Sequence, residues 1–196
     1  KFFDVSELIG TATQAVHNSS LADGTNHKPT WSVAACDVDD NGFDDLLTTS
    51  YGRQFNMLFT NQDGMYTNRT LQSGFESDAG TDFRTDEKYK CYCAQNPSLP
   101  ECVGVETPQI NCNGMNWTPG FDDQPFRLGG NTTNALCGDL DNDGDLDVVM
   151  LELSHDWFGP TGDQTEILVN NGFPQHPFER PGAAVTGIEK ADSQAS

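Results

Sequence analysis

The chain has 196 residues, about the length of one domain, and its 30 Asp and Glu against 10 Lys and Arg leave a net charge of −20. This charge disfavours binding to nucleic acids and to anionic membranes, because both attract basic side chains. Apolar runs such as 148–151 are also far too short for a membrane span. Hydrophobic residues make up only 35% of the chain, so we expect a thin core that needs metals, disulfides or neighbours as further support.

Residues 1–75 predict one short strand followed by a four-stranded antiparallel unit. The short strand covers 2–6 and has no partner within this part of the sequence. Short apolar or β-branched runs separated by turn residues indicate the other strands. These four strands are predicted at 31–35, 45–50, 56–59 and 65–68.

The acidic segment 37–45, here called the first acidic loop, joins the first two strands of that unit. It reads D-x-D-x-N-G-x-x-D, which places oxygen-bearing side chains at loop positions 1, 3, 5 and 9. Calcium binds about six to eight hard oxygen ligands, and glycine at position 6 allows the sharp turn around the ion. The predicted ligands are the side chains of Asp37, Asp39, Asn41 and Asp45 and the carbonyl group of Phe43.

Residues 76–130 predict an irregular insert that holds most of the cysteines. Its Pro-, Gly- and Asn-rich sequence lacks a clear periodicity, and an even number of cysteines favours disulfides in an oxidising compartment. A zinc site is the alternative, although a single residue between Cys91 and Cys93 fits the usual ligand spacing poorly. The sequence leaves the pairing open among Cys36, Cys91, Cys93, Cys102, Cys112 and Cys137.

Residues 131–188 repeat the first unit, and a polar tail follows at 189–196. Strands are predicted at 134–137, 147–153, 166–169 and 177–180. The segment 139–147, here called the second acidic loop, reads D-x-D-x-D-G-x-x-D. Its predicted ligands are the side chains of Asp139, Asp141, Asp143 and Asp147 and the carbonyl group of Asp145. Because Asp143 stands where the first acidic loop has Asn41, we expect the second loop to bind calcium more tightly.

Neither acidic loop belongs to an EF-hand. An EF-hand loop carries a bidentate Glu at position 12, where these loops have Thr48 and Met150. The flanking segments also lack helical periodicity and are typical of buried strands. Four short antiparallel strands with a calcium loop between the first two are typical of one blade of a β-propeller. The fold class is therefore predicted as all-β, with two four-stranded blades of an incomplete propeller around a disulfide-stapled insert.

The acidic loops and the segment 56–66 that follows the first of them resemble FG-GAP/VCBS repeats, the type found in integrin-α-like propellers. The resemblance covers roughly residues 2–75 and 130–188, and the loops are its most specific part. It implies that the named loop residues bind two Ca²⁺ ions. It also implies an adhesive, scaffolding or ligand-binding role outside the cell. The chain departs from the family in having two blades, whereas a closed propeller has at least about four.

Asn-x-Ser/Thr sequons add a second indication of an extracellular location. They predict N-glycosylation, which occurs on the surface of secreted proteins. The sequons lie at Asn18, Asn68, Asn116 and Asn131.

The unpaired strand and the missing blades predict a self-contained two-blade monomer whose insert covers the open faces, an assembly of copies, or a part of a larger propeller. Together with the aromatic residues they leave three functions open. The first is a structural protein whose copies join head to tail or form a filament by strand exchange. The second is an adhesion module that binds carbohydrate or protein ligands through its aromatic residues. The third is a fragment of a larger closed propeller. The aromatic candidates are Trp117, Phe121, Phe126, Trp157 and Phe158.

Enzymatic activity is not predicted. Residues 154–156, Ser-His-Asp, are the one cluster of catalytic residue types, but neighbours along a strand point to opposite faces and form a poor triad. The sequence carries no nucleophile-elbow, zinc-protease or P-loop motif.

Overall fold

The computed structural model describes residues 2–12, 30–51, 54–76, 82–124, 131–153 and 165–188. The strands of this part of the chain are β1 (Thr30–Cys36), β2 (Asp45–Ser50), β3 (Met57–Gln62), β4 (Met65–Asn68), β5 (Thr132–Gly138), β6 (Asp147–Glu152) and β7 (Glu166–Leu168). The helices are α1 (Ser6–Ile9), α2 (Thr70–Ser73), α3 (Glu87–Gln95) and α4 (Ala183–Thr186). None of the described helices has the length and apolar character needed to cross a membrane.

Strands β1 to β4 form one antiparallel sheet, here called sheet A, in the order β1-β2-β3-β4. Alternating residues of β2 are fully buried and half-buried, so one face of the sheet lies deeper than the other. The strand positions agree with the sequence prediction, and β2 and β4 match its bounds. The four-stranded unit predicted from the first part of the sequence is therefore present.

Strands β5 to β7 form a second antiparallel sheet, sheet B, which has three strands rather than the predicted four. The fourth segment, 177–180, joins the sheet through a single bridge between Val169 and Glu179. Pro177 has no backbone N–H to donate, and the N–H of Phe178 donates to the carbonyl of Ser73 in α2 (2.8 Å). The segment therefore divides its hydrogen bonds between sheet B and helix α2 and does not form a full strand.

The two sheets pack against each other around one apolar core. Its buried side chains are Cys36, Val38, Leu47, Leu58, Phe75, Ala135, Val148, Met150, Leu168, Phe173 and Phe178. Cys36 forms a disulfide with Cys137 across this interface, and Ser32 donates a hydrogen bond to Asn134 (2.7 Å). Ser32 and Cys36 of β1 meet Asn134 and Cys137 of β5 in the same order along the chain, so β1 and β5 run parallel beside each other. The all-β prediction is confirmed, and the two sheets do not form a closed propeller.

The strand predicted over 2–6 is wrong. Residues 2–5 have no regular secondary structure, and α1 begins at Ser6. The Asp4 carboxylate accepts hydrogen bonds from the backbone N–H (2.9 Å) and the hydroxyl (2.7 Å) of Ser6. This local turn favours the start of a helix over an extended strand. Strand exchange through this segment stays a prediction, which would require residues 2–5 to become extended on contact with another copy.

The Cys-rich insert is less irregular than predicted, because it contains α3. The Asp86 side chain accepts a hydrogen bond from the N–H of Lys88 (2.7 Å) and caps the helix. Inside the insert, Tyr89 and Trp117 pack edge to face in a small second core. Disulfides fix the helix at two points, which explains its stability without a helical apolar stripe. These disulfides join Cys91 to Cys112 and Cys93 to Cys102.

All six cysteines are paired, so the prediction of disulfides is confirmed and the zinc alternative is wrong. A zinc site would require free thiolates as ligands.

Candidate metal centres

Both acidic loops connect the first and second strands of their sheets and share one backbone conformation. Position 4 has a positive φ in each loop (Asp40, 53°; Asn142, 64°), and so has the glycine at position 6 (Gly42, 87°; Gly144, 105°). Asp and Asn tolerate this left-handed region better than most residues, and glycine enters it without a steric penalty. The repeated turns wrap the chain so that side chains from both ends of the loop point to its centre.

Three carboxylates converge in each loop at positions 1, 3 and 9. Their ligand-type oxygens all lie within 4.8 Å of one another. The groups are Asp37, Asp39 and Asp45 in the first acidic loop and Asp139, Asp141 and Asp147 in the second. Three like charges at such distances repel each other unless a cation or protons neutralise them.

The side chain at position 5 braces the turn in both loops. The Asn41 side chain accepts a hydrogen bond from the N–H of Phe43 (2.9 Å) and donates one to the carbonyl of Asn61 (2.8 Å). Asp143 accepts from the N–H of Asp145 (2.9 Å) and does not belong to the converging group. Ligation by Asn41 and Asp143, and by the carbonyl groups of Phe43 and Asp145, stays a prediction. The tighter affinity expected of the second loop depends on Asp143 and also stays a prediction.

Asp45 ties the first acidic loop to the sheet that follows it. Its carboxylate is fully buried and accepts hydrogen bonds from the N–H of Val38 (3.0 Å) and the N–H of Asn61 (2.7 Å). One oxygen thereby closes the loop, while the other holds the end of β3. The same carboxylate belongs to the converging group, so any ion bound there would be linked directly to the sheet.

Asp147 repeats this arrangement in sheet B. It is also fully buried, and it accepts hydrogen bonds from the N–H of Leu140 (2.8 Å) and the N–H of Asn170 (2.9 Å). Each sheet thus has, at an equivalent position, a buried carboxylate that accepts one hydrogen bond from its acidic loop and one from the end of its third strand or just after it. The internal repeat therefore extends to individual hydrogen bonds.

Asn61 and Asn170 support the two acidic loops from outside, and neither is among the ligands predicted from the sequence. Asn61 donates from its side-chain amide to the carbonyl of Asp44 (2.9 Å). Asn170 donates to the carbonyl of Leu146 (3.2 Å) and also to the carbonyl of Val38 in the first acidic loop (2.8 Å). Asn170 therefore connects both loops, a link between distant residues that no local motif could reveal.

Burial and charge repulsion raise the pKa of two carboxylates of the first acidic loop, Asp39 and Asp45. Burial raises the pKa of Asp45 to about 6, and the nearby charges of Asp39 and Asp37 add to this shift. Burial, followed by the charge of Asp37, also raises the pKa of Asp39. The Oδ1 atom of Asp39 is buried and has no hydrogen-bond partner among the described residues. A divalent cation would satisfy this oxygen and relieve the repulsion.

We expect Asp45 to make the metal-free protein more stable near pH 5 than near pH 7. Its pKa rises from an ordinary value of 3.8 to about 6 on folding, so the folded state holds the proton more tightly. The stability that Asp45 contributes is present below its unfolded pKa and is lost as the pH rises through about 6. Denaturation in EDTA at both pH values measures the difference. Asp45→Asn should reduce it, and an unchanged difference in this variant would contradict the assignment.

The sequons differ in exposure. The side chain of Asn116 is exposed and that of Asn68 is half-buried, whereas Asn131 is only 2% exposed. A glycan cannot be attached to an amide enclosed by the fold, so glycosylation at Asn131 does not agree with this structure. Asn18 lies outside the described residues.

We therefore expect a glycan at Asn116 and none at Asn131 in protein from a eukaryotic secretory host. Enzymatic glycan removal in ¹⁸O water converts an occupied Asn into labelled Asp, which peptide mass spectrometry detects. Full labelling of Asn131 in folded protein would contradict the enclosure of its side chain in this structure.

Two of the aromatic residues proposed for ligand stacking lie in the described part of the chain, and they differ in exposure. Trp117 is 7% exposed and packs against Phe83 and Tyr89, so it serves the core of the insert. Phe121 is 38% exposed. The remaining candidates, together with the cluster at 154–156, lie outside the described residues; they are Phe126, Trp157 and Phe158.

No protein-family model matches this chain, and neither the curated proteins nor the solved structures compared with it gave a match. The resemblance to FG-GAP/VCBS repeats therefore stays a prediction. It is carried by the acidic loops and by the strands that flank them.

Proposed function

We propose that this chain is a non-enzymatic, extracellular structural protein that binds one Ca²⁺ ion in each acidic loop and associates head to tail with its own copies. The convergence of three carboxylates at equivalent positions of both loops carries the proposal. Repetition matters here, because a single acidic turn at a surface is common without a metal. Two loops with the same positive-φ positions and the same braces indicate a constrained geometry.

Calcium fits these loops better than other common metals. The loop side chains offer only oxygen, which suits hard cations, whereas zinc and copper favour nitrogen and sulfur. Magnesium requires a near-ideal octahedron and keeps several waters, while calcium accepts irregular sets of carboxylate and carbonyl oxygens. An irregular loop with three carboxylates therefore favours calcium.

The ions would act as structural supports. Each ion would neutralise the repulsion between the carboxylates of one loop. The last residue of each loop, Asp45 or Asp147, also accepts a hydrogen bond from the third strand of its sheet or from the turn after it. Calcium binding would thus be coupled to the folding of the sheets. The disulfides support an extracellular location, since they persist in oxidising compartments, and calcium is abundant there.

Isothermal titration of the EDTA-treated protein with CaCl₂ tests the metal sites. We expect two binding events and an increase in the thermal unfolding midpoint. Asp39→Asn and Asp141→Asn should each remove one event, since each replaces one converging carboxylate with a neutral amide. Glu101→Gln makes the same change at an exposed residue outside the loops and should retain both events. No heat of binding at millimolar calcium in the unaltered protein would refute the proposal.

A further inference from the structure

The two sheets meet through opposite faces of equivalent strands. In sheet A, the row Ala34, Leu47 and Leu58 faces the shared core. In sheet B, the row Cys137, Val148 and Leu168 faces it. Strands β2 and β6 begin at the equivalent residues Asp45 and Asp147. Leu47 lies two residues after Asp45, whereas Val148 lies one residue after Asp147. Because successive side chains of a strand point to opposite faces, the two sheets contribute opposite faces to the shared core.

Each sheet therefore keeps a second face that matches the buried face of its neighbour. The outer face of sheet B carries the row Leu136, Val149 and Ile167, which is equivalent to the buried row Ala34, Leu47 and Leu58 of sheet A. These outer side chains remain accessible, and Leu136 is 51% exposed.

The outer face of sheet A shows the complementary relation. Ala35 pairs with Leu46 there, and these positions are equivalent to Cys137 and Val148 of the buried row of sheet B. Ala35 is exposed and Leu46 half-buried, and the neighbouring Val33 is 58% exposed. Phe59 of β3 continues this row and is only 4% exposed. The open part of the outer face of sheet A therefore lies at β1 and β2. None of these outer residues is charged, so an apolar contact can form at this place without burying a charge.

We propose that the outer face of sheet B in one copy packs onto the outer face of sheet A in a second copy of this chain, and thereby repeats the contact between the two sheets of one molecule. The sequence supplies the template, because the exposed positions of β1 and β5 on these outer faces are equivalent to positions of β5 and β1 that already pack together within one molecule. Such a contact is heterologous: it closes into a ring or continues as a fibre, depending on the rotation between copies. This inference rests on the association part of the proposed function and replaces strand exchange by face-to-face packing.

The internal disulfide provides a precise test of this geometry. Cys36 pairs with Asp45 in its sheet, as Gly138 pairs with Asp147, and Cys137 pairs with Val148, as Ala35 pairs with Leu46. The contact between copies should therefore place Gly138 of one copy beside Ala35 of the next, as Cys137 lies beside Cys36 within one copy. A Cβ at Gly138 would have its nearest neighbour at 3.8 Å, so cysteine fits there.

Ala35→Cys and Gly138→Cys are prepared separately, mixed in CaCl₂ and oxidised mildly. We expect a disulfide-linked dimer in the mixture, with peptide mass spectrometry showing a bond between positions 35 and 138 and all three native disulfides intact. Each variant alone should give little covalent dimer. Val103→Cys, at a 72% exposed position of the insert, mixed with either variant, is the matched control and should give only background crosslinking.

Sedimentation velocity provides a second measurement that does not depend on new thiols. Leu136→Glu and Val33→Glu each charge one outer face at an exposed position, so each should remain monomeric while folding normally by circular dichroism. A mixture of the two variants should form a 1:1 dimer, because each still has the intact face that the other lacks. The unaltered protein should form larger species.

Three results would overturn the inference: a monomeric unaltered protein at about 100 μM in calcium, association abolished by only one of the two charged variants, or crosslinks within single variants as strong as in the mixture. Calcium titration of the same samples separates this failure from failure of the metal sites. Two binding events in a strictly monomeric protein would leave the calcium assignment intact and reject the contact between copies.

Discussion

Asp147→Ala is expected to lower the free energy of unfolding by about 1–3 kcal/mol even in EDTA, where metal binding cannot contribute. The fully buried carboxylate accepts hydrogen bonds from the N–H groups of Leu140 and Asn170. Alanine would leave the buried N–H of Asn170 without an acceptor, which costs about 1–3 kcal/mol, whereas Leu140 is 47% exposed and water can replace its acceptor. Urea denaturation with a chelator present measures the effect.

Two further variants show whether the hydrogen bonds cause this loss. Asp147→Asn keeps one carbonyl-type acceptor and should fall between the unaltered protein and Asp147→Ala. Asp145→Ala removes a carboxylate from the same loop at a half-buried position, and should change stability by about 0.5 kcal/mol or less. A loss below about 1 kcal/mol for Asp147→Ala would mean that solvent replaces the brace.

The strands and acidic loops could be predicted because their signals are local. The strand β2 follows from a short run of apolar and β-branched residues after Asp45, and the loop positions follow from glycine and acidic spacing. Repetition strengthened both predictions, since the same pattern occurs before Asp147. Local chemistry also explains one error: Asp4 turns the chain into α1 where its apolar neighbours indicated a strand.

The features that the sequence did not reveal depend on contacts between distant residues. Fifteen disulfide pairings were formally open, and only the packing of β1 beside β5 brings Cys36 to Cys137. The amide of Asn170 reaches Val38 in the other sheet, a contact that requires the relative position of both sheets. The opposite orientation of the two sheet faces likewise becomes visible only when burial is compared at equivalent positions.

Removing the disulfide between the sheets should have the largest effect of any change outside the acidic loops. Cys36 and Cys137 are separated by 101 residues, and a crosslink that closes a loop of about 100 residues stabilises the folded state by about 4.7 kcal/mol in the chain-entropy model. We expect the double variant Cys36→Ala/Cys137→Ala to approach this loss, because it also removes two sulfur atoms from the shared core. Guanidinium denaturation in CaCl₂ measures it.

Cys93→Ala/Cys102→Ala is the matched control, since it removes a disulfide with a separation of only 9 residues inside the insert. The same model gives about 3 kcal/mol for such a short loop. We expect the structural change to stay within the insert, because this disulfide belongs to the small core around Trp117. The double variant Cys36→Ala/Cys137→Ala should in addition weaken calcium binding at the first acidic loop, because Asn170 can hold that loop only while the sheets stay together. Equal losses of stability in the two variants, with calcium binding unchanged in both, would show that the apolar core alone fixes the two sheets.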